Sequence, residues 1–220
     1  MRRGISPTYY SFLKYVRKNS LKFAFLQLAG RMEDMLVKEF AYHIWHESHG
    51  SRYPMTNVGN KGEQKFDIVV LRGTLGKTKK DSEASCEVCT LVEAKYVQRR
   101  HRAWEFNAND ETKSSLKGLQ RQLGKFKSDN HYGFRVKLQA RNSDIYGLVI
   151  ASHVAIETSR GPSRTSEKER FFGGVLQGAK DFRYLDLPKA RFDKVYDDVD
   201  VTLLNGKRYC SLRVGLWKLI

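Results

Sequence analysis

Phe66-Asp67-Ile68-Val69-Val70-Leu71, followed after a loop by Leu91-Val92-Glu93-Ala94-Lys95-Tyr96, decides the fold. Both runs are short, apolar and rich in β-branched residues, the signature of buried strands. An acid opens the first run, and an acid and a lysine two apart break into the second. An unpaired charge in such a strand costs roughly several kcal/mol. Three charged groups on neighbouring strands therefore call for a compensating partner, and a divalent cation answers to that description.

Side chains alternate along a strand, so Glu93 and Lys95 point to one face and Ala94 to the other. If the two strands pair, Asp67 at the start of one approaches Glu93 towards the end of the other. Two facing carboxylates suit Mg²⁺ as hard oxygen ligands, with Mn²⁺ as a substitute. Such an ion stabilises charge on a phosphate and acidifies a water, and Lys95 would orient that water or offset the developing charge.

Upstream, Tyr9, Tyr10, Phe12, Leu13 and Val16 predict a short first helix, and a second is predicted from about Leu21 to Trp45. At helical period Leu26, Ala29, Leu36, Val37, Phe40 and Ile44 form one apolar stripe. Glu33 falls inside that stripe, and such broken local rules concentrate at functional sites. Residues 51–64 read as loop with a short strand about Met55 to Val58. Downstream come a lysine-rich turn, the returning strand from about Glu87 to Val97, and a basic segment with Arg99, Arg100, His101, Arg102 and Trp104. A helix is expected from Asp110, with Leu116, Leu119, Leu123 and Phe126 on one face and Gln120 bordering it. A strand over Tyr146 to Ala151 follows, then a helix from a capping box at Ser166-Glu167-Lys168-Glu169 to about Phe182. Asn205-Gly206 between two alternating runs predicts a C-terminal hairpin. The order gives an α/β fold, a central mixed β-sheet flanked by helices with an additional C-terminal β-hairpin.

The 40 Lys and Arg against 24 Asp and Glu give a formal charge of +16. An excess of this size, spread over elements and loops, points to a polyanionic partner and favours nucleic acid over a membrane face. Lys61, Arg99, Arg100, Arg102, Lys117, Arg121, Arg160 and Arg164 are the candidate phosphate contacts. Three cysteines, Cys86, Cys89 and Cys210, do not make a disulfide scaffold. Cys86 and Cys89 have zinc spacing, with His43, His46 and His49 as distant company, but no second cysteine pair completes the pattern. No stretch has a signal peptide's order or spanning length, so a cytoplasmic protein is expected.

The constellation resembles the PD-(D/E)XK nuclease superfamily, with its restriction-endonuclease-like fold. The residues that carry the likeness are Asp67 in Lys65-Phe66-Asp67-Ile68-Val69-Val70, and Glu93-Ala94-Lys95. The resemblance places the family's frequent helix acid on Glu33 and a recurrent glutamine on Gln120, with Gln122 second. Phe66 stands where the family often has proline. The likeness covers roughly residues 26–151 of a single domain spanning 1–220, leaving 1–25 and 152–220 as flanks for substrate recognition or dimerisation. It implies a Mg²⁺-dependent endonuclease acting on DNA, restriction-like or of a phage-defence type, with Asp67, Glu93 and Glu33 at the metal and Lys95 assisting water. A homodimer would supply two sites for two strands. The alternatives are a non-catalytic nucleic-acid-binding module on the same fold, or a junction-resolving, recombination-associated or RNA-cleaving nuclease.

Overall fold

A computed structural model describes residues 5–30, 32–58, 66–72, 87–100, 131–133, 137–139, 144–156, 163–180, 185–186 and 193–219. Three helices open the chain: α1 (Ser6–Lys18), α2 (Ser20–Leu28) and α3 (Met32–Glu47). Strands β1 (Arg52–Val58), β2 (Phe66–Arg72) and β3 (Glu87–Arg100) follow, then β4 (His131–Gly133), β5 (Lys137–Gln139) and β6 (Asp144–Ile156). Helix α4 (Ser163–Lys180), the short β7 (Leu185–Asp186), β8 (Asp193–Leu203) and β9 (Gly206–Leu219) complete the order.

The sheet is seven-stranded and runs β1-β2-β3-β6-β9-β7, with β8 also on β9. β4 and β5 form a separate pair. Every pairing in the large sheet is antiparallel except β3 with β6, which run parallel from Thr90↔Asp144 to Arg100↔Val154. The expected α/β fold, a mixed sheet flanked by helices, is therefore observed. The C-terminal hairpin is present too, but as part of the sheet: β9 lies directly against β6 from Tyr146↔Lys218 to Ile156↔Arg208. Gly206, at φ 108, closes the turn with a backbone angle that other residues avoid.

Alternation sorts the side chains into two layers. Ile68, Val70, Val92, Ala94, Leu148, Ile150, Leu212 and Val214 share one apolar cluster with Phe12, Phe23, Leu36, Phe40 and Ile44 of α1 to α3. The opposite face meets α4, where His153 stacks near Phe171 and Phe172 at 5.9 and 6.4 Å between ring centroids. Gln27, fully buried, bridges helix to sheet: its Nε2 donates to the carbonyls of His153 and Ser211, and its Oε1 accepts from the Tyr196 hydroxyl.

Three expectations change. The long second helix is two, because Gly30 adopts φ 74 and turns the chain between α2 and α3. Ala29 is consequently exposed, and Met32 takes a core position instead. Ser166 does not cap α4, which already starts at Ser163. Strand β3 runs past Val97 to Arg100, because β6 continues to offer it a parallel partner. The helix expected after Asp110 lies outside the described residues.

Candidate active site

The site lies where two strands part. β2 and β3 pair from Arg72↔Glu87 to Ile68↔Val92, and the next pair in that register would set Asp67 opposite Glu93. The ladder stops there. Instead of a backbone carbonyl, the Asp67 side chain satisfies the strand: its Oδ2 accepts the Ala94 N–H at 2.7 Å. β3 continues alongside β6 beyond the last pair with β2, leaving a fork with an acid on each strand.

Glu93 is 2 % exposed. Its Oε1 accepts from Lys95 Nζ at 2.6 Å, whereas its buried Oε2 has no hydrogen-bond partner. Burial, and then the charge of Asp67, push the Glu93 carboxyl up to about 7 against the opposing pull of Lys95. For Lys95, burial acts against its charge, but Glu93, Asp67 and Glu33 together outweigh it and hold the ammonium above the ordinary lysine range. Its side chain remains 28 % exposed, so the charge keeps contact with solvent as well as with Glu93.

Glu33 stands in the first turn of α3, half-buried. Burial raises its carboxyl and Asp67 raises it further, with Lys95 working the other way. The helix acid thus shares one electrostatic environment with Asp67 and Lys95, although it comes from another layer. Glu33 and Asp67 line a cavity of about 440 Å³ together with Gly30, Asp34, Val37, Asn57 and Tyr96. Gly30, Asp34, Asn57 and Tyr96 were not singled out from the sequence. The available signal was the breaker Gly30 in a helical pattern, which marks where the chain must turn beside the site.

Among the described residues, no three His, Cys, Asp or Glu side chains converge as a ready metal cluster. The donor set nonetheless fits a hard cation, since a buried carboxylate oxygen without a partner sits beside a second carboxylate. Lys61, Arg102, Lys117, Gln120, Arg121 and Arg160 lie outside the described residues, as do the side chains of Arg99, Arg100 and Arg164. Cys86 lies outside them too. Cys89 donates to the Val70 carbonyl at 3.4 Å within the sheet. His43 is bonded to the Glu39 carbonyl at 2.9 Å and rests against Phe12 and Tyr15, a packing role.

No helix among the described residues is long and apolar enough to cross a membrane. No protein-family model, curated protein or solved structure matches the chain.

Proposed function

We propose that this protein is a Mg²⁺-dependent endonuclease that hydrolyses phosphodiester bonds in DNA, on a restriction-endonuclease-like sheet of the PD-(D/E)XK kind. The observation that carries the reading is the fork between β2 and β3, where Asp67, Glu93 and Lys95 meet and Asp67 takes the place of a ladder carbonyl. A strand pair kept only for stability has no need to bury a carboxylate whose second oxygen is unsatisfied.

Asp67 and Glu93 would hold the cation, with Glu33 facing the same cavity. When bound, Mg²⁺ supplies positive charge beside the scissile phosphate and acidifies water. Asp67, held by the Ala94 N–H, fixes one carboxylate in place before any ligand arrives. Glu93 has to give up the proton that burial favours, which makes the site work better above neutral pH than below it. Lys95 keeps Glu93 oriented through Oε1, and its ammonium remains partly open to solvent. There it steadies an attacking water or the charge that grows on the phosphate.

The formal charge of +16 draws a polyanion toward a site that is itself acidic. A cytoplasmic restriction-like or phage-defence role and a homodimeric assembly go with this reading. The test is incubation of the purified protein with plasmid, linear, branched and single-stranded substrates, with Mg²⁺ or EDTA. Cleavage that requires the cation is expected. Tight binding without cleavage of any substrate would assign the chain to a non-catalytic nucleic-acid-binding module, and cutting confined to RNA would replace the substrate.

A further inference from the structure

Asn57 breaks a local rule at the same place. It lies within β1, yet it stands at φ 55, where only a few non-glycine residues settle and asparagine does so most readily. The ladder pairs Thr56 with Ile68 and Val58 with Phe66, so Asn57 falls opposite Asp67, and that pair is missing from the register. Of the described non-glycine residues at positive φ, His49, Asn57 and Asp198, it alone lines the cavity. Gly30, at φ 74, lines the cavity as well. Backbone strain of this kind gathers at ligand-holding sites because surrounding structure must maintain it.

The chemistry of the lining narrows the role. Glu33, Asp34 and Asp67 offer carboxylates, Gly30 and Val37 offer no polar side chain, and Tyr96 is half-buried. Asn57 is the exposed side chain among these lining residues that carries hydrogen-bond donors without carrying charge. We propose that Asn57 is a substrate-positioning residue, whose side-chain amide donates to a non-bridging phosphate oxygen of a nucleic-acid strand seated beside Asp67. The proposal rests on the nuclease reading above and adds to it the group that orients the strand. The left-handed backbone at Asn57 coincides with the missing pair of the β1–β2 ladder, at the edge of the cavity the residue lines.

Two substitutions separate positioning from scaffolding. Asn57→Gly keeps the positive φ without strain and removes the amide. Asn57→Asp keeps the size and the tolerance for that backbone but replaces donors with acceptors. Binding is read by fluorescence anisotropy on a labelled oligonucleotide with Ca²⁺ in place of Mg²⁺, and cleavage by KM and kcat with Mg²⁺. Asn57→Gly should weaken binding and raise KM about tenfold, as expected for one hydrogen bond to a charged group, with kcat and Tm close to wild type. Asn57→Asp should bind more weakly still at low salt, and the gap between the two variants should close as salt screens it. Wild-type affinity and KM in Asn57→Gly overturn the proposal and leave the nuclease reading standing. So does a binding loss that appears only together with a lower Tm in both variants. A wild-type protein that neither binds nor cuts the oligonucleotides removes the nuclease reading and the proposal with it.

Discussion

Glu93→Gln should stabilise the metal-free protein, and only at higher pH. In the fold the Glu93 carboxyl is raised from 4.5 to about 7, chiefly by burial and then by Asp67. At about 1.4 kcal/mol for each unit, that difference corresponds to about 3 kcal/mol. The folded state holds the proton more tightly than the unfolded chain. This contribution is therefore fully present below 4.5 and is lost as pH rises through about 7. Glutamine has the shape of the protonated acid and never ionises. Glu93→Gln and the wild type should unfold alike near pH 4.5 in EDTA. At pH 8 the variant should be more stable by about 3 kcal/mol, or roughly 6–12 °C in Tm for a chain of this size. Added Mg²⁺ should raise the wild-type Tm at pH 8 by mass action and leave the variant unchanged. Calorimetry over a pH series measures all of this. Parallel curves of Tm against pH for the two proteins would refute the argument, because Glu93 would then not carry a proton that its burial favours.

Lys95→Ala removes the donor to Glu93 Oε1 and the ammonium at the fork; cleavage should fall by about 10²–10⁴-fold with nucleic-acid binding retained, and undiminished cutting would take Lys95 out of the mechanism. Glu33→Gln should cost less, about 10–100-fold in activity or cation affinity, read as initial rate against Mg²⁺ concentration; a change in Tm with normal rates would make Glu33 a helix residue and nothing more. Gln27→Leu strips the amide from the His153 and Ser211 carbonyls and the acceptor from the Tyr196 hydroxyl. Losing those buried hydrogen bonds should cost about 3–5 kcal/mol in urea unfolding, and a cost below 1 kcal/mol would show that the bonds are readily replaced.

The sheet was legible wherever apolar alternation and turn chemistry agreed. β2, β3, β6 and the β8–β9 hairpin all follow from runs such as Phe66 to Arg72 and from Asn205-Gly206. The charges inside those runs also singled out Asp67, Glu93 and Lys95, because a buried strand tolerates charge only with a partner, and the structure brings the three together. What the residues did not show was the division of the second helix. Gly30 lies in a stretch whose apolar spacing continues on both sides, so periodicity outweighed the glycine's breaker signal, and its φ of 74 is what turns the chain. Nor was Asn57 legible: its significance depends on a register with β2 and on a left-handed φ, both properties of the assembled sheet. The placement of β9 beside β6 depended likewise on long-range pairing, which local pattern does not encode.

That placement has a consequence for when the site can exist. Glu93 and Lys95 rest against Gly147 and Val149 of β6, and those residues rest in turn against Trp217 and Gly215 of β9. Two side chains from the first half of the sequence are thus braced by a strand near residue 219. While the chain is being made, β3 and β6 can lie together only with an open edge where β9 will dock, and contacts of such long range form slowly. A site assembled in this way stays unbraced until the hairpin adds its outer strands. Completion of the fork then depends on strand order, and removal of β9 should loosen the strands that hold Glu93 and Lys95 although none of the charged groups would be missing.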